Sequence, residues 1–536
     1  MSAAVTQSAL GSVDGVEFAL DTGSRALFSQ DIYARAAQPV SAVARPLSLD
    51  ALQRLVERAA ATGTPLLPRG GGMSYTRGYV AERPDAVVVD LRALDSIERI
   101  DADNHVAVVQ PGVTWAQLHE ALRPHRLRAR FWGPLSGLRA TVGGGVSQNA
   151  AFWGSGRYGT AADSVLGVDV VTGAGARLAT GALAGAPPVP FFRAYGPDPT
   201  GLFVGDGGAF GIKARIALAL RAEPGAEDSL SFAFDAAAPM LAAMGEIARA
   251  DLAPQQSAFD PLLVSLRTRR QSLAEDFRTL TGFLRGSKSL GRGLRDAASI
   301  VAAGRGFLEG ASYLLHCLAE ARGPEALRED LAAIRAIVQR HGGREVENTV
   351  AKVMAATPFP ALNGIIGPDG ERWAPVHGLV PLSAGEPAYR ALIDVLGAHE
   401  ATLSNHTISC GTLFATVGSQ ALLMEPMFFW PDAIDLLHRA TLEPRVLARI
   451  PSRDARPGAT EAVGELRRAV VDALAPLGAA HLQLGRFYPW LQRRDDGFRG
   501  AIHALKRQLD PAGVLNPGVL GLGGMGLGGT GPGDTG

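Results

Sequence analysis

Glycine-rich runs that also carry small polar residues are the part of this sequence best suited to chemistry. PRGGGMSY spans residues 68–75, TVGGGVSQN spans 141–149 and GDGGAFG spans 205–211. Because glycine lacks a Cβ atom, the main-chain N–H groups of such runs can converge on an anion at close range. Tight-turn packing is the alternative explanation for any one run, but three runs in one region favour a large phosphorylated cofactor. No GxGxxG run follows the first predicted strand, and no GxxxxGK[ST] run is present.

Four further candidates are polar residues inside apolar or aromatic stretches. Arg486 and Tyr488 lie in RFYPWL, where they could bind a phenolate or carboxylate, or form a basic turn with a packed aromatic ring. Glu425 interrupts the apolar run ALLMEPMFFW, so it must be paired, protonated or placed beside a cofactor. His377 lies in WAPVHGLVP and is either a proton-transfer residue or a hydrogen-bonded core histidine. These four are the candidate catalytic residues.

The elements around the glycine-rich runs alternate between helices and strands. Apolar spacing predicts a helix over 47–62, which Asp50 could help to cap, and a helix over 114–125 with Thr114 as N-cap. β-Branched runs predict strands at 86–91, at 105–113, twice within 163–180 and at the end of 201–220. This alternation is typical of small α/β crossover units.

The stretch 131–160 is too rich in glycine for a regular element, although it holds two Phe and two Trp residues. A long loop of this kind inside a domain is usually functional. We place the end of this first domain near residue 222, before the linker EPGAED.

The region from about 225 to 475 predicts a second domain with an antiparallel sheet. A strand at 230–235 and a helix at 239–251 are followed by a strand or buried helix at 310–321 and a helix at 323–343. Strand and helix then recur within 372–400 and again within 407–440. Residues 283–306 carry five basic residues and one acid among apolar ones, which is typical of a membrane-surface segment or of a solvated helix. The glycine-rich tail from Gly518 predicts disorder.

Composition excludes several classes of protein. Apolar residues make up 47% of the 536 residues and charged residues 19%, which is unlike a disordered chain. Lys plus Arg and Asp plus Glu both number 52, so no basic field exists to bind nucleic acid. Two cysteines allow one bridge at most, and two buried thiols are the favoured interpretation. Without a signal-peptide pattern or an apolar run of about 18 residues, we expect a cytoplasmic protein, soluble or peripheral to a membrane.

The ordered set of motifs resembles a known family. PRGGGMSYTRGY (68–79), VAVVQPGVTWAQLHEAL (106–122), GPLSGLRATVGGGVSQNA (133–150), GRYGTAADSVLGVDVVTGAGARLATG (156–181) and GLFVGDGGAFGIKARIAL (201–218) look like the FAD-binding domain of the vanillyl-alcohol oxidase/p-cresol methylhydroxylase (PCMH-type) superfamily. The resemblance covers roughly residues 40–220 in order along the chain. LDPAGVLNPG (509–518) is similar to the family's C-terminal return to the flavin domain.

The resemblance implies roles for individual residues toward FAD. Those around the pyrophosphate would be Pro68, Arg69, Gly70, Gly71, Gly72, Met73 and Ser74. The second FAD loop would comprise Pro134, Ser136, Thr141, Val142, Gly143 and Gly144. Residues near the isoalloxazine and ribityl chain would be Ser147, Asn149, Gly154 and Tyr158. Gly208, Gly211 and Ile212 would close on the adenine side, and Asn516 would help to seat the ring.

Two departures from the family pattern refine these expectations. Many members carry a histidine in the first loop that bonds covalently to the flavin; Met73 stands in that slot, and a thioether cannot replace the imidazole. We therefore expect non-covalent FAD, unless the cap domain attaches it as in some relatives. The HxGDGNxH-type metal motif of relatives that oxidise D-2-hydroxy acids is missing, and His316, His377 and His406 are scattered. We therefore expect no metal site.

The resulting prediction is an α+β protein with two large domains. A PCMH-type FAD-binding domain of two α/β subdomains would span 1–222, a cap or substrate domain with an antiparallel sheet and flanking helices 223–475, and a segment returning to the FAD domain 476–518, before a tail at 519–536. The resemblance implies oxidation of an alcohol, 2-hydroxy acid or 4-alkylphenol by hydride transfer to flavin N5. Oxygen, a quinone or a cytochrome would reoxidise the flavin, and a homodimer is typical of the family. The alternatives are a D-lactate- or glycolate-type membrane-associated dehydrogenase, a flavin-dependent synthase of the ether-lipid type without net redox change, and a non-flavin binding protein.

Overall fold

The first sheet is built around a parallel β-α-β unit. The computed structural model describes residues 10–270 and 313–523. Strands β2 and β3 both pair in parallel with β4, and β1 pairs antiparallel with β2. The elements of this part are β1 (Val16–Ala19), α1 (Thr22–Phe28), β2 (Ala42–Pro46), α2 (Leu49–Thr62), β3 (Leu66–Arg69) and β4 (Val87–Asp90). The side chain of Ser48, rather than that of Asp50, caps α2, while Asp50 lies in the first turn, where a negative charge is favourable.

The second sheet is antiparallel and follows directly. Its strands run in the order β5-β6-β10-β8-β9, and β7 pairs with the end of β10. The strands are β5 (Ile97–Asp101), β6 (Val106–Val109), β7 (Leu127–Ala129), β8 (Val165–Val171), β9 (Arg177–Ala179) and β10 (Ile212–Ala222). The helices are α3 (Trp115–Leu122), α4 (Val142–Gln148), α5 (Ser155–Tyr158) and α6 (Ala161–Ser164). The predicted cap of α3 is confirmed, because Thr114 and Gln117 form a capping box.

One prediction for this region was wrong. Residues 131–160 were expected to lack regular structure, yet α4 forms at Val142–Gln148 inside the stretch. Thr141 caps the helix by accepting a hydrogen bond from Gly144 N at 3.1 Å. A Cβ atom on Gly145 would lie 2.6 Å from Trp115 Nε1, so the glycines let α4 pack closely on α3.

The third sheet is antiparallel and has eight strands. Its order is β14-β11-β13-β12-β17-β18-β15, and β16 also pairs with β18. The strands are β11 (Ala226–Phe234), β12 (Gln255–Phe259), β13 (Tyr313–Ala321), β14 (Arg344–Val346), β15 (Arg372–Pro375), β16 (Gly378–Pro381), β17 (Ser409–Val417) and β18 (Ala421–Trp430). β10 ends at Ala222 and β11 begins at Ala226, the place where the sequence predicted a domain boundary.

The later helices cover this sheet and the C-terminal part of the chain. They are α7 (Ala237–Arg249), α8 (Pro261–Arg270), α9 (Pro324–Arg340), α10 (Thr349–Ala356), α11 (Gly385–Ala398), α12 (Glu400–His406), α13 (Leu436–Arg439), α14 (Pro444–Leu447), α15 (Pro457–Leu474) and α16 (Asp496–Leu509). Where one strand was predicted in 372–400 and one in 407–440, the structure has a pair of strands each time.

The chain returns to the first sheet near its end. Leu66 N donates to Val514 O at 2.8 Å and Asn516 N donates to Leu66 O at 2.9 Å, which makes a parallel bridge beside β3. Lys506 on α16 is buried and donates to Asp510, Ala209 O and Leu515 O. These bonds fix residues 509–518 against the loops that follow β3 and precede β10.

Three other predictions concern cysteines, membrane contact and the tail. Cys317 and Cys410 are free thiols, and burial raises the pKa of the Cys317 thiol to about 12. Across 10–270 and 313–523, no helix is both long enough and apolar enough to span a bilayer. The prediction of a disordered tail was wrong for its first residues, because Val519–Gly521 form a 3-10 turn and Val519, Leu520 and Leu522 are buried. The basic segment 283–306 and the rest of the tail, after residue 523, lie outside the described residues.

Candidate cofactor and active site

The first and second glycine-rich runs touch each other through bare main chain. A Cβ atom on Gly70 would overlap Thr141 Oγ1, and one on Gly71 would overlap the main-chain carbonyl of Arg139. The Arg139 side chain donates from Nε to Gly71 O at 2.9 Å. Gly70 and Gly144 are only half-buried. Glycine is required at 70 and 71 because the loops approach too closely for any side chain.

The third glycine-rich run joins the other two. Gly207 N donates to Ser147 O at 2.8 Å, and a Cβ atom on Gly208 would lie 2.5 Å from Pro68 Cγ. Asp206 accepts from Gly208 N and forms a buried ion pair with Lys213. The three runs predicted from the sequence to bind one cofactor therefore meet in space.

Positive charge and unused polar groups accompany these loops. Arg69 is buried, and its Nε and Nη2 atoms have no hydrogen-bond partner among the described residues. Its guanidinium lies over the rings of Phe28 and Tyr79, and burial lowers its pKa. A buried cation beside glycine loops favours a bound diphosphate. The Oε1 atom of Gln148, at the end of α4, also lacks a partner among the described residues.

A cavity of about 380 Å³ extends from the second and third glycine-rich runs toward the C-terminal segment. Its polar wall includes Gln148, Asn149, Asp206, His481 and Gln483. Its apolar wall is formed by Leu202, Val204, Phe210, Leu482, Leu484, Trp490, Phe498, Ile502 and Leu520. The glycine loops, the unpartnered polar atoms and this cavity fit a large nucleotide cofactor.

Most of the other residues predicted to bind FAD make contacts with neighbouring protein residues. Met73 packs with apolar residues that include Trp373, and Ser74 N donates to the Tyr79 hydroxyl at 3.1 Å. Pro134 O and Ser136 O accept main-chain bonds within the turn that leads to Thr141. Val142 and Gly143, at the start of α4, donate main-chain bonds to Val113 O and Pro111 O.

Four more of these residues lie further along the chain. Gly154 starts α5 with φ of 84°, a conformation that favours glycine. The ring of Tyr158 lies under the guanidinium of Arg221, whose Cζ is 4.7 Å from the ring centroid. Gly211 is held closely by Val170, and Ile212 opens β10 as a buried core residue.

Asn516 and Arg486 form a clamp between the C-terminal segment and the first loop. Asn516 Nδ2 donates to Gly78 O at 2.8 Å and to Gly207 O at 2.6 Å. Arg486 donates to Asn516 Oδ1 at 2.7 Å and to the carbonyls of Arg77, Gly78 and Pro517. Burial lowers the pKa of Arg486 to about 10. Because its Nη donors are occupied by protein acceptors, the contacts of Arg486 are those of a structural residue, and substrate binding by it gains no support.

Glu425 reaches the first loop from β18, which lies beside the edge strands β15 and β16 of the third sheet. Its Oε1 accepts a hydrogen bond from the Tyr75 hydroxyl at 2.9 Å, and Tyr75 lies three residues after Gly72. Gln483 Nε2 donates to the same hydroxyl at 3.2 Å. Desolvation raises the pKa of Glu425 to about 7, although the Tyr75 hydrogen bond favours the ionised form. This places an acid that titrates near neutrality at the junction of the third sheet and the glycine loop.

His377 and Tyr488 are also brought together, with His481 as an unpredicted third member. The Tyr488 hydroxyl accepts from His377 N at 2.9 Å and lies 3.2 Å from His377 Nδ1. The His481 and Tyr488 rings stack with centroids 4.3 Å apart. Burial lowers the pKa of His377 to about 3 and raises that of Tyr488, so both are neutral at physiological pH. The pair can exchange hydrogen bonds but carries no charge for substrate binding.

Tyr75 and Arg467 are the site residues that sequence reasoning missed. Arg467, on α15, is fully buried and donates to Pro375 O and Tyr75 O, each at 3.0 Å. It thereby connects the third sheet to the first glycine-rich run. Tyr75 stood in the quoted run PRGGGMSY, but no local signal indicated that Glu425 would meet it. In the described part of the chain, no cluster of His, Cys, Asp or Glu could hold a metal ion.

Comparison with known proteins identifies the glycine-loop region. A family profile described as an FAD binding domain matches residues 40–181. The chain is 27% identical over 208 residues to glycolate oxidase subunit GlcD of Bacillus subtilis, and 25% identical over 195 residues to a mitochondrial cytochrome-type D-lactate dehydrogenase of Arabidopsis thaliana. These matches cover 38% and 36% of this chain but only 42% and 33% of the two relatives. The chain therefore matches less than half the length of either relative.

Solved structures resemble nearly the whole chain. p-Cresol methylhydroxylase with substrate bound superposes with a TM-score of 0.70 at 16% identity, covering 97% of this chain and 96% of that one. Alkyldihydroxyacetonephosphate synthase superposes with a TM-score of 0.65 at 14% identity, covering 96% and 84%. At such identities the likeness concerns the fold, and it confirms the predicted α+β fold of the PCMH type.

Proposed function

Because the chain belongs to the PCMH-type FAD-binding oxidoreductase superfamily, with FAD as its cofactor, we propose that it oxidises an uncharged alcohol or 4-alkylphenol. In this proposal residues 1–222 and 476–518 hold FAD, and residues 223–475 provide the substrate side of the site. Glu425 is the proton acceptor.

The hydrogen bond between Glu425 and Tyr75 carries this proposal. It joins an acid of the third sheet to the loop that starts with the glycine run, so the acid lies where a substrate would meet the cofactor. A pKa of about 7 suits a group that must take a proton and release it near neutral pH. Tyr75 and Gln483 hold the carboxylate in place through one continuous chain of hydrogen bonds.

The proposed reaction removes a hydrogen from a carbon beside a hydroxyl or aryl group. When bound, FAD supplies the hydride acceptor. Glu425 takes the hydroxyl or phenol proton at its carboxylate. The neutral Tyr488–His377 pair adds no charge to the site, and its hydrogen bonds hold the segment around Leu482 in place. The cavity walls include aromatic and aliphatic side chains, which favour an apolar substrate group.

The charges of the site support an uncharged substrate. No lysine or arginine is among the described residues that line the cavity. Nearby, the Nη atoms of Arg486 donate to protein acceptors, and Arg467 donates through Nε and Nη2 to main-chain carbonyls, whereas its buried Nη1 has no hydrogen-bond partner among the described residues. A carboxylate substrate normally requires a charge-assisted partner. A 2-hydroxy acid remains the second candidate, because the names of the two sequence relatives include glycolate oxidase and D-lactate dehydrogenase.

We further propose that FAD is held without a covalent bond through the first loop. Met73 packs among apolar side chains and offers no imidazole nitrogen to the flavin. Both ring nitrogens of His377 face protein partners, Leu482 and Tyr488. Acid precipitation should therefore release the flavin absorbance into the supernatant; yellow colour retained in the pellet would contradict non-covalent binding.

The proposal is tested by anaerobic reduction of the bound flavin with aryl and alkyl alcohols, 4-alkylphenols and 2-hydroxy acids. We expect bleaching with uncharged substrates, at a rate that rises with pH through about 7, since Glu425 must be ionised to accept a proton. Glu425→Gln should lower the rate roughly 10²–10⁴-fold and remove that pH dependence. Glu386→Gln, which alters an exposed carboxylate on α11, is the matched control.

Other outcomes would overturn parts of the proposal. Bleaching by 2-hydroxy acids alone would replace the substrate class. Conversion of substrate without net oxidation would favour the synthase alternative, which shares this fold with alkyldihydroxyacetonephosphate synthase. Reoxidation rates with oxygen, a soluble quinone and a cytochrome would then separate an oxidase from a dehydrogenase.

A further inference from the structure

The loop between the 3-10 turns at 181–184 and 199–203 exposes several large apolar side chains close together. Val189, Phe191, Phe192 and Tyr195 are 40%, 62%, 51% and 66% exposed. No other seven-residue stretch within the described residues exposes more than one large apolar side chain. Exposed apolar residues are unremarkable singly, but a contiguous group marks an interaction surface.

The loop holds these side chains outward on a firm base. Four prolines, at 187, 188, 190 and 197, restrict its backbone. Ala182 N donates to Phe192 O at 2.9 Å, which ties the tip to the second sheet's flank. Arg193 Nη1 donates to Ala162 O at 2.7 Å. The aromatic rings therefore project from an anchored loop.

The loop carries little free charge. Arg193, the only basic residue between 186 and 198, pairs with Asp198 through Nε at 2.9 Å. A charged protein partner would have no complementary group here. Aromatic side chains such as those of phenylalanine and tyrosine are favoured at the boundary between lipid headgroups and acyl chains. The arginine beside them is paired, so it does not oppose their insertion there.

The size of the patch also decides between partners. A stable protein interface buries roughly 1,200–2,000 Å² in total, with about 20–30 residues on each side. Four side chains on one narrow loop fall far short of that, but they suffice for insertion of about 5–10 Å into a bilayer interface. We propose that residues 189–195 dock on the surface of a lipid bilayer, with Phe191, Phe192 and Tyr195 inserted among the headgroups.

The anchored loop is connected to the cofactor region. Ala162, whose carbonyl holds Arg193, donates its N–H to Asn149 Oδ1 at 3.0 Å, and Asn149 lines the cavity beside the glycine loops. Docking through this loop would hold the FAD domain, rather than the third sheet, against the membrane.

Flotation of the full chain with phosphatidylcholine vesicles tests the proposal. We expect flotation with uncharged vesicles that persists in high salt, because the insertion is apolar. Phe191→Ser combined with Phe192→Ser should lower the vesicle partition coefficient at least about tenfold. Ile393→Ser combined with Leu436→Ser, which removes two exposed apolar side chains elsewhere, should leave partitioning unchanged. Flavin content and melting temperature establish that both variants are folded.

Three results would overturn the proposal. Equal flotation of the loop variant and the control variant would show that the loop does not insert. Flotation that requires anionic vesicles and disappears in salt would assign membrane binding to a basic segment such as 283–306. A change in molecular mass between the wild type and the loop variant, with no flotation of either, would assign the patch to contact between copies of the chain.

Discussion

At the scale of single residues, the proton affinity of Glu425 depends on the hydroxyl of Tyr75. That hydroxyl favours the ionised carboxylate, while burial opposes it. Tyr75→Phe removes only the favourable contribution, so the pKa of Glu425 should rise above about 7. The pH midpoint of flavin reduction should then move to higher pH, with the rate recovering in alkaline solution. Gln483→Leu should shift the midpoint less, since Gln483 contacts Tyr75 rather than the carboxylate; an unchanged midpoint in Tyr75→Phe would contradict this account.

Arg486 should matter for stability and FAD retention rather than for substrate recognition. Its replacement removes the donors to Asn516 Oδ1 and Pro517 O, and it removes one of the two donors to each of Arg77 O and Gly78 O. Arg486→Met should therefore lower the free energy of unfolding by about 3 kcal/mol. Arg494→Met, at an exposed position in the same segment, should change it by less than about 0.5 kcal/mol. Chemical denaturation measures both, and a raised KM with unchanged stability in Arg486→Met would restore the substrate-binding interpretation.

The sequence indicated some site residues and missed others for a definite physical reason. An acid inside an apolar strand is conspicuous, because its burial needs an explanation, and so Glu425 could be found without a structure. Tyr75 and Arg467 belong to ordinary local patterns, and their importance arises from contacts with residues hundreds of positions away. Arg486 was selected as a candidate catalytic residue for the same reason as Glu425. Its Nη atoms donate to carbonyl oxygens of the protein, and no sequence pattern indicates such contacts.

At the scale of elements, the close contact of the first two loops should be intolerant of any side chain. Gly71→Ala would drive a methyl group into the main-chain carbonyl of Arg139 and push the loops apart. Overpacking of this kind costs about 1–3 kcal/mol, so FAD affinity should fall roughly tenfold or more. Gly397→Ala, where open space surrounds a glycine on α11, should leave FAD affinity unchanged. Titration of stripped protein with FAD measures both, and equal affinities would refute the contact argument.

Element prediction succeeded where periodicity was clear and failed where glycine obscured it. The capping box of α3 and the buried strand β4 follow directly from residue type and spacing. Helix α4 was missed because three glycines disfavour a helix, whereas its cap at Thr141 and its packing on Trp115 stabilise it. The sequence predicted a single strand where β17 and β18 form an antiparallel pair. The turn between them, in which Gly418 has φ of 60°, is too short to be recognised in the sequence as a break between two strands.

At the scale of the whole molecule, FAD should stabilise more than its own domain. The first loop is bonded to the third sheet through Glu425 and to α15 through Arg467. FAD added at 100 times its Kd should raise the free energy of unfolding by about 2.7 kcal/mol. Unfolding followed by tryptophan fluorescence and by far-ultraviolet circular dichroism should shift together. A shift confined to one signal would show that the domains unfold independently.

The parallel bridge between Leu66 and Leu515 has a consequence for how the protein is made. The edge that supports the first glycine-rich run is completed by residues added to the chain about 450 positions later. At 5–20 residues per second, a ribosome needs roughly 20–90 s to supply them. Through that interval the nascent first domain has no Asn516–Arg486 clamp. FAD should therefore be acquired only after synthesis has passed this point, which makes flavin loading a late event in the biogenesis of the enzyme.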